Sequence, residues 1–225
     1  MDEIILKANN ICKSYNNGEE NLSVLNNLSI KVRQNEIVTI TGQSGSGKST
    51  LLNVLGTLDQ PDSGIVEIDG LNIMNLDKNH IAKIRNEKIG FVFQFHHLLS
   101  EFTALENVLM PVWIRGSIYN KKKEAIQLFD KLNLSSKLDY FPNQLSGGER
   151  SRIALIRGII NKPNILFADE PTGNLDKKNA MVLIDLFNEI NTDFNQTIII
   201  TTHNPDIAEI GNSRYKLENG FLKNE

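Results

Sequence analysis

Gly42-Gln43-Ser44-Gly45-Ser46-Gly47-Lys48-Ser49-Thr50 sets a lysine and a serine at fixed distances behind a glycine-rich run. The spacing G-x-x-x-x-G-K-[ST] suits one task, holding the phosphates of a nucleoside triphosphate. Glycines let successive backbone N–H groups turn inward and form an anion-binding nest. Lys48 can reach the β- and γ-phosphates, and the Ser49 hydroxyl can ligate Mg²⁺. A helix begun at Lys48 directs its positive end at the same phosphates. An ordinary Gly/Ser turn would need neither residue at those positions. Lys48 is expected to face solvent when no nucleotide is bound, so that its removal costs little packing.

Further polar residues stand where apolar, β-branched runs end. Gln94 follows Ile89-Gly90-Phe91-Val92-Phe93, Asp169 and Glu170 follow Ile165-Leu166-Phe167-Ala168, and His203 follows the run from Thr197 to Thr202. The nine-residue loop itself follows Glu36 to Thr41. Ligands of open parallel sheets bind beyond the carboxyl ends of the strands, so these residues are expected to converge. Asp169 is the acidic group that would hold Mg²⁺ through water, Glu170 would polarise an attacking water, and His203 would contact the γ-phosphate. Leu145-Ser146-Gly147-Gly148-Glu149 is a second loop that offers backbone N–H groups to an anion at a helix start. Two such loops, far apart in one chain, are reconciled by a two-fold dimer in which each subunit closes over the other's nucleotide.

Around these residues the chain alternates strand and helix. Alternation at Ile4, Leu6 and Ala8 and at Leu28, Ile30 and Val32 predicts two strands, with a polar turn at Asn16-Asn17-Gly18. Ile65, Glu67 and Asp69-Gly70 predict a strand and hairpin turn, as do Tyr215 to Leu222 near the end. Asp77 caps a helix carrying Ile81 and Ile84, and Thr103-x-x-Glu106 is a capping box. A helix from Asn120 carries Ala125, Ile126, Phe129 and Leu132; another carries Met181, Ile184, Leu186 and Ile190. The chain has 225 residues, 40% of them hydrophobic and 23% charged, with a net charge of −3. That suits one sizeable soluble domain and gives no basic surface for nucleic acid. The lone Cys12 reads as a small core residue, Met1-Asp2-Glu3 lacks the basic start of a secretory signal, and no apolar run is long enough to span a membrane. A soluble, cytoplasmic chain follows, reaching any membrane through a partner.

Taken together the motifs resemble those of ABC transporter ATPase subunits, from about Ile4 to Leu222. Gly42 to Thr50 resembles Walker A, Gln94 the Q loop, Leu145 to Glu149 the signature, Ile165 to Glu170 Walker B, Asn174-Leu175-Asp176 the D loop and His203 the switch histidine. The resemblance implies an α/β P-loop NTPase core with an antiparallel β subdomain and an inserted helical subdomain. The whole chain, 1–225, would be one nucleotide-binding domain, with core and β subdomain over about 1–94 and 161–225 and the helical part over about 95–160. It further implies ATP and Mg²⁺ as cofactors. Tyr15 would stack on adenine, the loop from Gly42 to Thr50 would bind phosphate, and Ser49, Asp169 and Gln94 would serve the metal. Glu170 would be general base, with His203 and Gln94 ordering water and γ-phosphate. Ser146, Gly147 and Gly148 would act on the opposite subunit's ATP.

Gly18-Glu19-Glu20, Leu58 to Pro61 and Pro171 to Asp176 look like the branch holding lipoprotein-releasing, macrolide-export and cell-division ATPases. Gln94 to Leu99 and Phe102 to Val108 look most like its lipoprotein-releasing members. The implied partners are a second copy of the chain and integral membrane subunits (LolC/LolE-like), met at the cytoplasmic face of the inner membrane, with no nucleic acid and no direct insertion. Residues 95–108 are expected to dock those subunits through Phe95, Leu98, Leu99 and Phe102. The nearest alternative is a macrolide or peptide exporter of the same branch. ABC proteins acting on ribosomes or DNA usually carry paired cassettes or a long insertion, and a small-molecule kinase would leave Leu145 to Glu149 unexplained. The chain departs from the family pattern at Asn35, Ser151, Ile156, Gly158 and Asn204, none of them assigned to chemistry.

Overall fold

A computed structural model describes residues 3–16, 18, 21–116 and 121–225. Asn17 of the predicted first turn, Glu19 and Glu20 of the branch motif, the predicted helix start at Asn120, and Met1-Asp2 lie outside the described residues. Strands β1 (Ile4–Asn16), β2 (Asn21–Arg33), β4 (Ser63–Ile68) and β5 (Leu71–Asn72) form an antiparallel sheet in the order β2-β1-β4-β5. β1 runs well past the alternating Ile4-Leu6-Ala8 stretch, because register shifts between Ala8 and Lys13 let it keep pairing with β2. Those irregularities break the period of two that marks a strand in sequence.

The second sheet positions the site. β3 (Ile37–Thr41), β6 (Ile89–Phe93), β7 (Ile165–Asp169), β8 (Thr197–Thr202), β9 (Ser213–Glu218) and β10 (Phe221–Asn224) lie in the order β10-β9-β3-β8-β7-β6. Neighbours are parallel except at the β10 edge. Buried on both faces, the central strands read as continuous apolar runs. Their carboxyl ends are level: Thr41 pairs with Thr202, Thr201 with Asp169, and Asp169 with Phe93. Residues that directly follow these strands therefore emerge side by side.

Helix α1 (Lys48–Leu55) follows β3, and α2 (Lys78–Lys88) is capped by Asp77, whose side chain accepts the N–H groups of Asn79 and His80. α3 (Ala104–Arg115), α4 (Lys121–Lys131) and α5 (Gly147–Ile159) form the helical layer; α6 (Lys177–Phe194) and α7 (Pro205–Ala208) return to the sheet. Thr103 and Glu106 make both hydrogen bonds of their capping box. One buried cluster lies beneath the antiparallel sheet and α1; the other joins α3–α6 to β7 and β8. α5 approaches β6 so closely that a Cβ on Gly90 would meet the Gly158 carbonyl oxygen at 2.2 Å. That contact accounts for a glycine at 90; at 158 a Cβ would meet Leu166 Cδ1 at 3.0 Å and the Phe91 carbonyl oxygen at 3.2 Å.

The two helices form as predicted, but not every apolar residue on them is buried: Ile126 and Met181 are exposed, each directly following a buried alanine, Ala125 and Ala180. Cys12, expected in the core, is half-buried, its sulfur accepting the Asn27 N–H at 3.3 Å.

Candidate active site at the strand ends

The loop between β3 and α1 folds around left-handed glycines, Gly45 at φ 79° and Gly47 at φ 99°. A Cβ on Gly47 would also strike the Val24 side chain at 2.8 Å, so both conformation and space demand glycine there. Ser46 N–H donates to the Gln43 carbonyl at 3.1 Å and closes the turn. The Ser46 hydroxyl is buried and has no hydrogen-bond partner among the described residues. An unpaired buried hydroxyl costs free energy, and an anion held in the loop would pair it.

Lys48 is 7% exposed, not solvent-facing as its chemistry alone suggests. Its ammonium donates to the carbonyls of Gly42 at 2.8 Å and Gln43 at 3.1 Å, and lies 3.3 Å from Glu170 Oε1. Glu170 Oε2 in turn accepts the His203 N–H at 3.1 Å and lies 2.7 Å from His203 Nδ1. Glu170 itself has φ 45°, a conformation that costs a non-glycine residue about 1 kcal/mol or more, and its N–H is fixed by the Thr201 carbonyl at 2.9 Å. One carboxylate thus ties the phosphate-loop lysine to the histidine of the neighbouring strand.

A cleft of about 590 Å³ opens over these groups, lined by Tyr15, Val24, Ser44, Gly45, Gly47, Lys48, Ser49, Thr50, Gln94, Glu170 and His203. Its volume falls in the range of small-molecule sites. Gly42, Gln43 and Ser46 shape the loop without lining the cleft. Asp169 also does not line it; its Oδ1 accepts the Thr201 hydroxyl at 2.6 Å. No cluster of three or more His, Cys, Asp and Glu able to hold a metal occurs among the described residues. A nucleotide-bound Mg²⁺ needs only one or two protein oxygens beside phosphate and water, a donor set that the oxygens of Ser49, Gln94 and Asp169 would fit.

Tyr15 sits at the rim, with its hydroxyl donating to Asp59 Oδ2 at 2.9 Å. Lys13 Nζ donates to Asp59 Oδ1 at 3.0 Å and stands 5.2 Å from the centre of the Tyr15 ring. Burial opposes ionisation of Asp59, but hydrogen bonds from Lys13, Tyr15 and the Gln60 N–H outweigh it and hold the carboxyl below its ordinary range. Burial and the hydrogen bond to Asp59 raise the Tyr15 phenol. Lys13 and Asp59 thus orient the tyrosine. Sequence reasoning gave them no part, because only the pairing of β1 with β4 brings them together.

Ser146, Gly147 and Gly148 lie apart from this cleft. Ser146 caps α5 in a reciprocal box, its hydroxyl accepting the Glu149 N–H at 3.3 Å and Glu149 Oε2 accepting the Ser146 N–H at 2.8 Å. The N–H groups of Gly147 and Gly148 fall in the first turn, where a helix supplies no acceptor of its own. Gly147 borders a separate cavity of about 380 Å³ with Phe95, His96, Leu98, Pro142, Arg150 and Asn174. No phosphate-loop residue borders it.

A model of the ABC transporter family matches residues 25–173. The chain belongs to that family. It is an ABC ATPase cassette, and the two sheets and helices are those of the ABC fold. It is 42% identical over 224 residues to the lipoprotein-releasing system ATP-binding protein LolD of Buchnera aphidicola subsp. Schizaphis graminum, covering 99% of this chain and 98% of the relative. It is 43% identical over 226 residues to LolD of Saccharophagus degradans, covering 100% and 99%. Among solved structures, the dimeric structure of MJ0796, a bacterial ABC transporter cassette, superposes with a TM-score of 0.91 at 38% identity, covering 98% of this chain and 97% of that one. A post-hydrolysis state of MJ0796, dimeric and bound to ADP and Pi, superposes equally well. Like other ABC ATPases, the chain binds and hydrolyses ATP. No described helix is long and apolar enough to cross a membrane.

Proposed function

We propose that the chain works as a head-to-tail homodimer that hydrolyses MgATP to drive release of lipoproteins from the inner membrane toward the outer membrane. The observation that carries the catalytic part is the bridge from Lys48 through Glu170 to His203 at the mouth of the phosphate loop. The loop amides and Lys48 bind phosphate, and Tyr15 stacks on the base. Ser49, Asp169 and Gln94 would hold Mg²⁺, which neutralises charge developing on the phosphates. Glu170 takes the proton of the attacking water, a role that requires it to give up Lys48 to the nucleotide. His203 steadies Glu170 and meets the γ-phosphate, while Gln94 orients water. Ser146, Gly147 and Gly148 complete the partner subunit's site, a reading supported by their separation from the cleft within one chain.

Each copy is read as one nucleotide-binding domain, with core and β subdomain over about 1–94 and 161–225 and a helical subdomain over about 95–160. It would work at the cytoplasmic face of the inner membrane, held there by LolC/LolE-like subunits. The names of the 42–43% identical relatives support this cargo. Support for the docking segment comes from Phe95, 70% exposed, and the exposed Leu99. Leu99 lines a groove of about 490 Å³ with His97, Met110, Pro111 and Ile114. Leu98 and Phe102 are half-buried, and Leu98 packs on the helical core, so half of the expected patch does not face outward. The test is reconstitution with the membrane subunits in lipid vesicles. ATP-dependent release of a lipoprotein is expected; ATP-dependent efflux of a macrolide with no lipoprotein release would favour the exporter reading.

A further inference from the structure

Behind Gln94 the chain turns through two consecutive non-glycine residues at positive φ, His96 at 62° and His97 at 48°. Such a turn persists only where its surroundings hold it. Three side chains do so. Asn174 Nδ2 donates to the Gln94 carbonyl at 3.1 Å. The Arg157 guanidinium donates to the carbonyls of His97 at 2.6 Å and His96 at 2.5 Å. The third contact is the His96 ring itself, 8% exposed, whose Nε2 lies 2.7 Å from the Ser151 hydroxyl.

Ser151 is 1% exposed, and its hydroxyl donates to the Gly147 carbonyl at 3.1 Å. A helical serine bonding back four residues is ordinary. A buried imidazole from another segment that ends on that serine is not. The hydroxyl has one hydrogen, committed to Gly147, so it accepts from His96 Nε2–H. The ring is thereby fixed as the neutral tautomer protonated at Nε2. Two hydrogen bonds thus join the turn behind Gln94 to the first residue of α5, next to Ser146.

We propose that His96 and Ser151 are positioning residues for ATP hydrolysis, their relay to the Gly147 carbonyl setting the Ser146–Gly148 loop so that it closes on the partner's nucleotide. The inference rests on the head-to-tail dimer.

The test uses the full chain carrying Glu170→Gln, in which ATP-dependent dimerisation can be measured without turnover. Ser151→Ala is expected to weaken dimerisation about tenfold, the effect of one lost buried hydrogen bond. ATP affinity of the monomer should stay unchanged, because the loop acts on the other subunit. Ser151→Thr, which keeps the hydroxyl, should restore dimerisation. His96→Asn suits the left-handed turn but cannot reach Ser151, and should also cost about tenfold; the double variant with Ser151→Ala should lose no more than either single one. Additive losses, an equal loss in monomer ATP affinity, or no loss would each overturn the relay. If the Glu170→Gln parent stays monomeric at saturating MgATP, the dimer reading itself has failed and the relay falls with it.

Discussion

Replacing Glu170 with glutamine should tighten MgATP binding even as it stops hydrolysis. Lys48 Nζ stands 3.3 Å from Glu170 Oε1, and both side chains are largely buried, at 7% and 13% exposure. At that 3.3 Å separation and an effective dielectric of about 20 the attraction is about 5 kcal/mol. Most of it is offset by desolvation of the two charges. Lys48 also keeps its hydrogen bonds to the Gly42 and Gln43 carbonyls in the variant. A net release of about 1 to 2 kcal/mol remains, because a phosphate that takes Lys48 no longer competes with a carboxylate. That corresponds to roughly 5- to 30-fold tighter binding. Titration calorimetry on the isolated chain measures it directly, and the same preparation should hydrolyse ATP ~10²-fold more slowly or worse. A cycle with Lys48→Met isolates the pair: in that background Glu170→Gln should tighten binding far less. Unchanged or weaker affinity of Glu170→Gln, or equal tightening with and without Lys48, would refute the competition.

Lys48→Ala should abolish nucleotide binding or turnover and also lower stability by about 1 to 2 kcal/mol, read from thermal melts, because it removes the ammonium beside the buried Glu170 Oε1 and the side-chain donor to the Gly42 and Gln43 carbonyls. An unchanged melting temperature would show that the buried pair adds nothing to the fold. His96 gives a pH signature. Burial, then Arg150, Arg157 and His97, lower its pKa from the ordinary value to about 4. The unfolded chain therefore takes up the proton first, and stability falls as pH drops from about 6.5 toward 4. By pH 5 the loss is about 1 to 2 kcal/mol after discounting for solvent beside the ring, and His96→Gln should remove that slope. Phe95→Ser with Glu101→Lys should leave ATP binding intact but block assembly with the membrane subunits. Normal assembly and release would move the docking surface elsewhere.

What could be read from the sequence was local. The phosphate loop, the capping box at Thr103, the helix start after Ser146 and the polar residues after β6, β7 and β8 depend on near neighbours in the chain. The parallel register then brings the strand ends together. What could not be read depends on contacts between distant segments. Lys48 is buried because Glu170, far along the chain, turns back on it from a left-handed backbone. Tyr15 owes its orientation to Asp59, and His96 its burial to Ser151, across strand and helix boundaries that no local period encodes. Ile126 and Met181 show the limit of periodicity itself: one step along a helix turns about 100°, enough to carry an apolar residue past the edge of the buried stripe.

The central claim is that the phosphate loop of one copy and the Ser146–Gly148 loop of another form one ATP site. The most direct measurement is the solution mass of the Glu170→Gln chain with MgATP, by sedimentation, alone and with Ser146→Arg added. The account predicts a dimer holding two ATP for Glu170→Gln and a monomer that still binds ATP once Ser146→Arg is present. A monomer at saturating MgATP in the first case, or a dimer indifferent to Ser146→Arg, would contradict it.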